Sequence, residues 1–350
     1  MQNPSTSRVL EHPINPKEID MEEIRNLVSV REITNILPIP DADRIEVAVV
    51  DGWEVVVGRG EFAVGDRVVF FEIDSALPLS DYRFSFLTER GKKTLGDGND
   101  YHVLKTIRLR GHYSQGLIMP ESILGTGTVD DLGVIKYERP EPTIVNAKGN
   151  FPTHILNKTD AIRVQNLTSK FNRIAAHEAG WYPTLKYDGS SITAIINNGE
   201  VRICSRNLEI KVTDDLPQYV ALKAAGLDTM DGYILQGEYF GEGLQKNPHH
   251  KIGQDIRVFN VFSWDGTGRA TLLPRKEWPE AALHKAVEIL DISFPTSVEA
   301  ALIQAEGLKI PGTNFSAEGI VWHTNDASTL QFLDDRDCFK VINNRYLLKN

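Results

Sequence analysis

Cysteine is scarce in this 350-residue chain, and the two it has, Cys204 and Cys338, are too few for a disulfide framework. No C-x-x-C pair or close cysteine–histidine spacing offers a zinc site, and the adjacent His249 and His250 read as a polar loop rather than a ligand pair. Long apolar runs are missing too: none approaches the roughly 18 residues of a membrane span. The opening Met1-Gln2-Asn3-Pro4-Ser5 has neither the basic region nor the apolar core of a signal peptide, so an intracellular, cytoplasmic protein is expected, with no membrane partner. Positive charge is in short supply: 38 lysines and arginines face 48 aspartates and glutamates, a net charge of −10. That balance excludes a protein that coats nucleic acid by bulk charge, and any such contact must be local. Internal repeats and low-complexity tracts are absent.

The length accommodates two domains, and the 41% hydrophobic content is ordinary for a globular chain. Residues 1–25, with Pro4, Pro13 and Pro16 and little periodicity, read as a loose arm. From Leu27 the pattern becomes short β-rich runs, Leu27–Thr34, Arg44–Val50, Trp53–Val57 and Arg67–Ile73, punctuated by Pro38-Ile39-Pro40-Asp41, Asp51-Gly52 and Gly65-Asp66. A further strand is expected over Val103–Arg110, closing at Gly111. Short strands at this spacing predict a small barrel of the oligonucleotide-binding (OB) type, and Pro40–Ala48 resembles the first hairpin of transfer-RNA-binding OB domains. Arg83, Arg90, Lys92, Lys93, Lys105, Arg108 and Arg110 make the densest basic region, interleaved with Tyr82, Phe84, Phe86, Tyr101 and Tyr113. Such a surface can hold phosphates and stack bases, or the aromatics can fill the barrel while the charges solvate its rim. Of these, Lys105, Arg108 and Arg110 are the candidates for nucleic-acid contact; Arg108 and Arg110, two apart, share a strand face.

Between Tyr137 and Pro152 the chain is polar and punctuated by proline, the composition of a linker. The expected organisation is an arm over 1–25, an OB-like domain over 26–139, a linker over 140–158 and a second domain over 159–350. Thr159-Asp160 reads as a helix N-cap before Ala161–Leu167; further helical stretches are expected near Ala175–Glu178 and Leu216–Ala225.

The second domain is organised around Lys186-Tyr187-Asp188-Gly189-Ser190-Ser191, set between Trp181–Leu185 and the apolar Ile192–Ile196. A strand-borne lysine two residues before an aspartate, with a glycine that lets the backbone approach a ligand, suits covalent attack on a phosphate by the ε-amine. Alone, K-x-D-G is equally a solvated hairpin turn. Order adds specificity: Ser205-Arg206-Asn207 follows, then Leu235–Gly241 around Glu238, Arg257–Phe262, Ser316–Val321 around Glu318, and Phe339-Lys340-Val341.

This ordered series resembles the motifs of the covalent nucleotidyltransferases, the superfamily of polynucleotide ligases and messenger-RNA capping enzymes. More closely, Lys186–Ser191, Ile107–Gly116 and Phe339–Leu348 resemble ATP-dependent RNA ligases that carry an N-terminal OB domain and seal nicks, over roughly residues 27–350. With 185 residues before Lys186 and ten after Lys340, the OB domain has to be N-terminal. The implied class is α+β: an OB-like β-barrel, then a nucleotidyltransferase domain of two antiparallel sheets with flanking helices, unrelated to ATP-grasp. The resemblance makes Lys186 the nucleophile toward ATP. It places Asp188, Arg206, Glu238, Phe259, Glu318 and Lys340 around the nucleotide, with Glu238 on the ribose, Phe259 (or its rival Phe262) stacked on adenine, Arg206 on a phosphate and Lys340 on the α-phosphate. The structural readings of these residues are a core strand for Phe259, a surface ion pair for Arg206 and a strand-edge lysine for Lys340.

The attacking amine must be neutral, yet a free lysine titrates near about 10.4, and lowering that to about 7 needs on the order of 4–5 kcal/mol. Neighbouring carboxylates push the wrong way. A magnesium or manganese ion held by Asp188, Glu238 and Glu318 resolves the conflict. Many ligases have K-x-K in the last motif where this chain has Ile342, so Lys340 acts alone or is helped by Arg345 or Lys349. The implied partner is RNA in a nicked duplex, with RNA on the 3′-OH side, and a monomer is the expected unit. The alternatives are another covalent nucleotidyltransferase, whether a DNA ligase or a capping-type guanylyltransferase, or a non-catalytic RNA-binding protein on a decayed scaffold.

Overall fold

The computed structural model describes residues 26–138, 146–177, 180–324, 333 and 336–348; the expected arm, the stretch around Pro140, Glu178 and Lys349 lie outside them. In the first domain the expected runs become β1 (Val28–Pro38), β2 (Ile45–Val50), β3 (Trp53–Gly58) and β4 (Arg67–Phe71). They are followed by β5 (Ser75–Pro78), β6 (Lys93–Thr94), β7 (Asp100–Val103), β8 (Thr106–Leu109), β9 (His112–Gln115), β10 (Leu117–Pro120) and β11 (Ile135–Lys136). The main sheet has the antiparallel order β10-β4-β1-β2-β3. The Val56 amide of β3 donates to Ser114 Oγ of β9 at 3.0 Å, and β9 leads directly into β10, so the sheet curls into the OB barrel. Period-2 alternation puts Trp53, Val55 and Val57 inside with Ile33, Val50, Val68, Phe70 and Ile118.

The expected strand over Val103–Arg110 is two strands. Leu104 is buried in a second cluster with Phe71, Phe84 and Leu87, so the chain turns there, and β8–β9 stands as a separate ribbon. Its turn is Arg110-Gly111 with both φ positive, the conformation a two-residue hairpin requires. Phe84 and Tyr101 are core residues, whereas Tyr82 is 84% and Phe86 49% exposed, so the aromatics divide between the two roles open to them.

The second domain comprises β12 (Ala147–Asn150), β13 (Ile162–Arg163), α1 (Phe171–Ala175), β14 (Trp181–Lys186), β15 (Ser190–Asn197), β16 (Glu200–Cys204), β17 (Leu208–Ile210), α2 (Pro217–Ala224), β18 (Tyr233–Gly241) and β19 (Gln254–Ser263). Then come β20 (Thr271–Leu272), α3 (Glu280–His284), α4 (Val298–Gly307), β21 (Gly319–Thr324), β22 (Cys338–Ile342) and a helical turn at Asn344–Leu347. One sheet is antiparallel in the order β12-β17-β16-β15-β18-β19-β20; the other runs β13-β22-β21-β14. Its β13–β22 pair is parallel, a departure from the all-antiparallel expectation. The segment 285–290 joins the sheets: Val258 donates to Lys285 O and Val287 to Val258 O on one side, Leu185 to Glu288 O and Leu290 to Pro183 O on the other. A cleft results, with α2 and α3 behind the first sheet and α4 behind the second.

Two expectations change here. The predicted helix over Ala161–Leu167 is instead β13 followed by a 3-10 segment, Val164–Lys170, because Ile162 and Arg163 pair with Phe339 and Lys340 and this tertiary pairing overrides local propensity. Within the expected linker, residues 147–150 form β12 on β17, and Phe151, Ile155 and Leu156 pack on Ile195, Cys204 and Ile234. Proline punctuation there marks a cap over the sheet rather than a free tether.

The two domains meet through a buried polar network. Arg31 reaches Asp51 at 2.9 Å and the 1%-exposed Glu72 at 3.2 Å, while Asn166 Oδ1 accepts from Trp53 Nε1 at 2.9 Å and from Arg31 at 3.4 Å. Gly52 backs onto this junction: a Cβ there would lie 2.8 Å from Val298 and 2.9 Å from the Gln165 backbone. Among the described residues no helix is long and apolar enough to cross a membrane. Asn166→Ala orphans the Trp53 indole donor, while Arg31 keeps Asp51 and Glu72, and should lower unfolding stability by about 1–3 kcal/mol in denaturant titrations; an unchanged midpoint would show the junction to be dispensable.

Candidate active site

Lys186 is the last residue of β14, and strand alternation gives it the cleft face together with Thr184 and Tyr182. β14 pairs with β21 so that Lys186 lies opposite Gly319, which brings Glu318 alongside: Lys186 Nζ stands 2.7 Å from Glu318 Oε1. Glu238 comes from the facing sheet, on β18 opposite Ser191. Burial works to discharge the lysine, but Glu318 and Glu238, with Asp188 behind them, outweigh it and hold its pKa above the usual value. Burial raises Glu238 to about 8 against the pull of Lys186, with Glu318 and Asp188 adding to the rise. Burial likewise raises Glu318, again opposed by Lys186. One oxygen of that carboxylate, Glu318 Oε2, is buried with no hydrogen-bond partner among the described residues. A buried carboxylate oxygen without a partner, beside a second carboxyl driven towards its neutral form, is a donor set one positive charge short, and it fits a hard divalent cation.

Asp188 stands at the start of the turn into β15, where its Oδ2 accepts a 2.5 Å hydrogen bond from the Tyr346 hydroxyl. Gly189 has a different task from the one expected. A Cβ there would overlap the Tyr239 carbonyl oxygen and meet Phe240 Cβ at 2.9 Å, so its small size serves the turn's packing on β18. Gln245 donates to the Gly189 carbonyl at 3.2 Å and fixes the same turn.

Arg206 is exposed on the loop between β16 and β17, and Lys340 lies on β22 opposite Val321 and Arg163. Their charges converge on Asp160, where burial favours the neutral acid but Lys340, Lys136 and Arg206 together hold it below the ordinary carboxylate range. Phe259 is the extra residue of a β-bulge, where the pairing shifts between Gln236 and Gly237, and it is half-buried beside Leu185 and Tyr187. Phe262 is packed against Phe151, Ile155 and Leu156. Ile342 is buried opposite Gly319 on the face of Lys340, so the position of a second motif lysine is apolar. Arg345 is 3.5 Å from Glu306 and within electrostatic reach of Tyr113, on the barrel side of the site. His249 stacks on Tyr187 at 4.2 Å, its pKa lowered to about 4 by burial, while His250 stacks on Phe315; they diverge, as a loop rather than a ligand pair.

An OB-fold domain sequence model matches residues 27–121, and the RNA ligase model matches residues 180–342. No curated protein sequence matches. Solved structures of Naegleria gruberi RNA ligase superpose along almost the whole chain. A lysine-to-alanine mutant with ATP and manganese is 33% identical with a TM-score of 0.78, and covers 93% of this chain and 99% of its own. A glutamate-to-alanine mutant with AMP and manganese is 32% identical at 0.78, and the enzyme with pyrophosphate 33% at 0.77, each with the same coverage. This chain belongs to the RNA ligase family.

In this ligase the β8–β9 ribbon carries the expected cations on its exposed surface. Arg108 is braced by the Gly111 carbonyl at 3.0 Å and by the Tyr113 ring, and Lys105 and Arg110 are exposed at either end. Other members of the basic region are internally engaged: Arg83 with Asp81, Lys92 with Asp100, Lys93 with the Tyr137 hydroxyl. Tyr346 and Gln245 were not legible as site residues. Tyr346 lies only six positions after Lys340, but nothing in its spacing says that its hydroxyl returns to Asp188.

Two outcomes follow from this geometry. Tyr346→Phe deletes one hydrogen bond to a carboxylate, a loss of about 1.5–3 kcal/mol, so ATP-dependent ligation should slow about 10–100-fold with the fold intact; an unchanged rate would show that Asp188 needs no such restraint. Glu238 titrates higher in the folded protein than in the unfolded chain, so the folded state binds the extra proton between the two pKa values. Without divalent cations the contribution of Glu238 to stability therefore falls as pH rises from about 4.5 to about 8. Glu238→Gln should flatten that part of the stability–pH curve, and parallel curves for the two proteins would contradict the assignment.

Proposed function

We propose that this ATP-dependent RNA ligase joins an RNA 3′-OH to a 5′-phosphate at nicks in duplexes, by way of a lysyl-AMP and an adenylated RNA, as a repair reaction. The observation that carries the reading is the half-buried Lys186–Glu318 pair at 2.7 Å with Glu238 beside it and Glu318 Oε2 without a partner among the described residues. Lys186 in its neutral form attacks the α-phosphorus of ATP; the new N–P bond forms as pyrophosphate leaves, and the amine proton passes to solvent. The RNA 5′-phosphate then takes the AMP from the lysine, and the 3′-OH displaces AMP to close the strand. Asp188, Glu238 and Glu318 would hold magnesium or manganese, which when bound disfavours the ammonium form and offsets charge on the transferring phosphoryl group. Lys340 and Arg206 neutralise phosphate oxygens, Phe259 at its bulge stacks on the base, and Glu238 holds the ribose.

In this reading residues 26–139 grip the duplex and residues 159–350 perform the chemistry. The ribbon of Lys105, Arg108 and Arg110 meets the phosphate backbone. A duplex holds the two ends together and replaces much of the binding energy that joining free ends would demand, which reconciles an RNA substrate with a net charge of −10. The neutral amine is the requirement that makes the metal obligatory.

Lys186→Ala should take no covalent label from ATP, seen on denaturing gels, yet still seal a pre-adenylated nick; labelling at the wild-type rate, or labelling of the wild type from GTP alone, would sink the reading. Reversing the charges of Lys105, Arg108 and Arg110 should weaken nick binding, by less as salt rises, while ATP labelling of Lys186 persists. Equal sealing of nicked and single-stranded RNA by the wild type would count against the duplex preference.

A further inference from the structure

Further along the cleft face from Lys186, three side chains with no part in the chemistry above converge. Strand register sets His323 of β21 between Tyr182 of β14 and Cys338 of β22, and Asp337 directly precedes the cysteine. A ring nitrogen of His323, a carboxylate oxygen of Asp337 and the Cys338 sulfur all lie within 4.8 Å of one another. His323 is 2% exposed, and its Nδ1 is 3.8 Å from Asp337 Oδ2, too far for a hydrogen bond.

The Thr184 hydroxyl lies 3.2 Å from the Val321 carbonyl and 3.1 Å from His323 Nε2. With its one hydrogen donated to that carbonyl it accepts from Nε2–H, the tautomer that gives Nδ1 a lone pair. That atom is buried with no hydrogen-bond partner among the described residues, and it faces a carboxylate. Two lone pairs aimed at each other in a buried site repel unless a cation lies between them.

We propose that His323 Nδ1, Asp337 and Cys338 bind a soft divalent cation of the zinc class, with water as fourth ligand, at a site separate from the carboxylates around Lys186. Thiolate and carboxylate together cancel the charge of the ion. Sulfur and imidazole select zinc or cobalt over magnesium, so the two sites do not compete for the same metal. Tetrahedral zinc with bonds of about 2.0–2.3 Å spaces its ligand atoms about 3.5 Å apart; His323 Nδ1 and Asp337 Oδ2 stand at 3.8 Å and all three ligand atoms lie within 4.8 Å of one another, so binding would draw them closer together. The outer partners are in place as well: Nε2–H on Thr184 orients the ring, and the Asn260 amide, with its nitrogen turned inward, donates to Asp337 Oδ2 at 2.9 Å. On binding, the Cys338 S–H bond breaks, its proton goes to solvent and the sulfur–metal bond forms, one proton per ion. The ion ties β22 to β21 two residues before Lys340. None of this depends on the ligase reading.

The test uses the full-length protein, stripped with a chelator and titrated with Co2+ in excess Mg2+. One cobalt per chain, a thiolate-to-cobalt charge-transfer band, release of about one proton and displacement by Zn2+ are expected, all lost in Cys338→Ser and all retained in Cys204→Ser. No charge-transfer band, or one that survives in Cys338→Ser, would overturn the proposal. Should Cys338→Ser fail to fold, Thr184→Val keeps every ligand but removes the acceptor for Nε2–H, and cobalt affinity should fall about tenfold or more; an unaltered affinity would overturn it equally.

Discussion

The half-buried contact between Lys186 and Glu318 is the constraint on which the rest of the site depends. An ammonium and a carboxylate taken out of water must be paired, and breaking such a pair from one side leaves an uncompensated charge. Here the pair is embedded in a second carboxylate, Glu238, so the resting site favours the protonated lysine while the proposed chemistry needs the neutral one. The contradiction is chemically useful. In the proposed reaction it would keep Lys186 in an unreactive form and make its release conditional on added positive charge, supplied when nucleotide and divalent cation are together in the cleft. The unpartnered Glu318 Oε2 is the visible trace of that condition.

The barrel reaches this centre through the end of the chain. β22 delivers Lys340, then Asn343 donates its amide to the Glu318 carbonyl, Arg345 meets Tyr113 of the ribbon, Tyr346 holds Asp188 and Leu347 packs on the barrel core. A stretch of eight residues thus touches two acidic residues of the site, Glu318 at its backbone and Asp188 at its carboxylate, and the domain expected to hold RNA. With the Arg31–Asn166–Trp53 network it sets the barrel beside the cleft, so a duplex held on the ribbon lies near the nucleophile.

Much of this was legible in the sequence, for a physical reason. The candidate nucleotidyl-transfer groups sit on or beside strands that line one cleft, so their order survives as short motifs around Lys186, Glu238, Glu318 and Lys340, and the alternation of β1–β4 announces the barrel. Long-range pairing was not legible. Residues 147–158 read as linker because proline and polar residues mark a chain end and a sheet cap alike. Ile162 and Arg163 read as helix because their parallel partner lies far away on β22. Ile342 reads as a missing lysine, and the structure shows a buried residue packed over Gly319. The absence of any close cysteine–histidine spacing concealed the convergence of His323 and Cys338, which only the register of β21 on β22 creates.

The central claim is that Lys186 is held charged by its carboxylates until a divalent cation is present. Its direct measure is the titration of the Lys186 side chain, followed by NMR through its ε-carbon and amine nitrogen, in the metal-free enzyme and again with a non-hydrolysable ATP analogue and magnesium. The account predicts a metal-free pKa above the usual lysine value that drops when nucleotide and metal bind together. A metal-free lysine already titrating below that value, or one that does not respond to the metal, would contradict it.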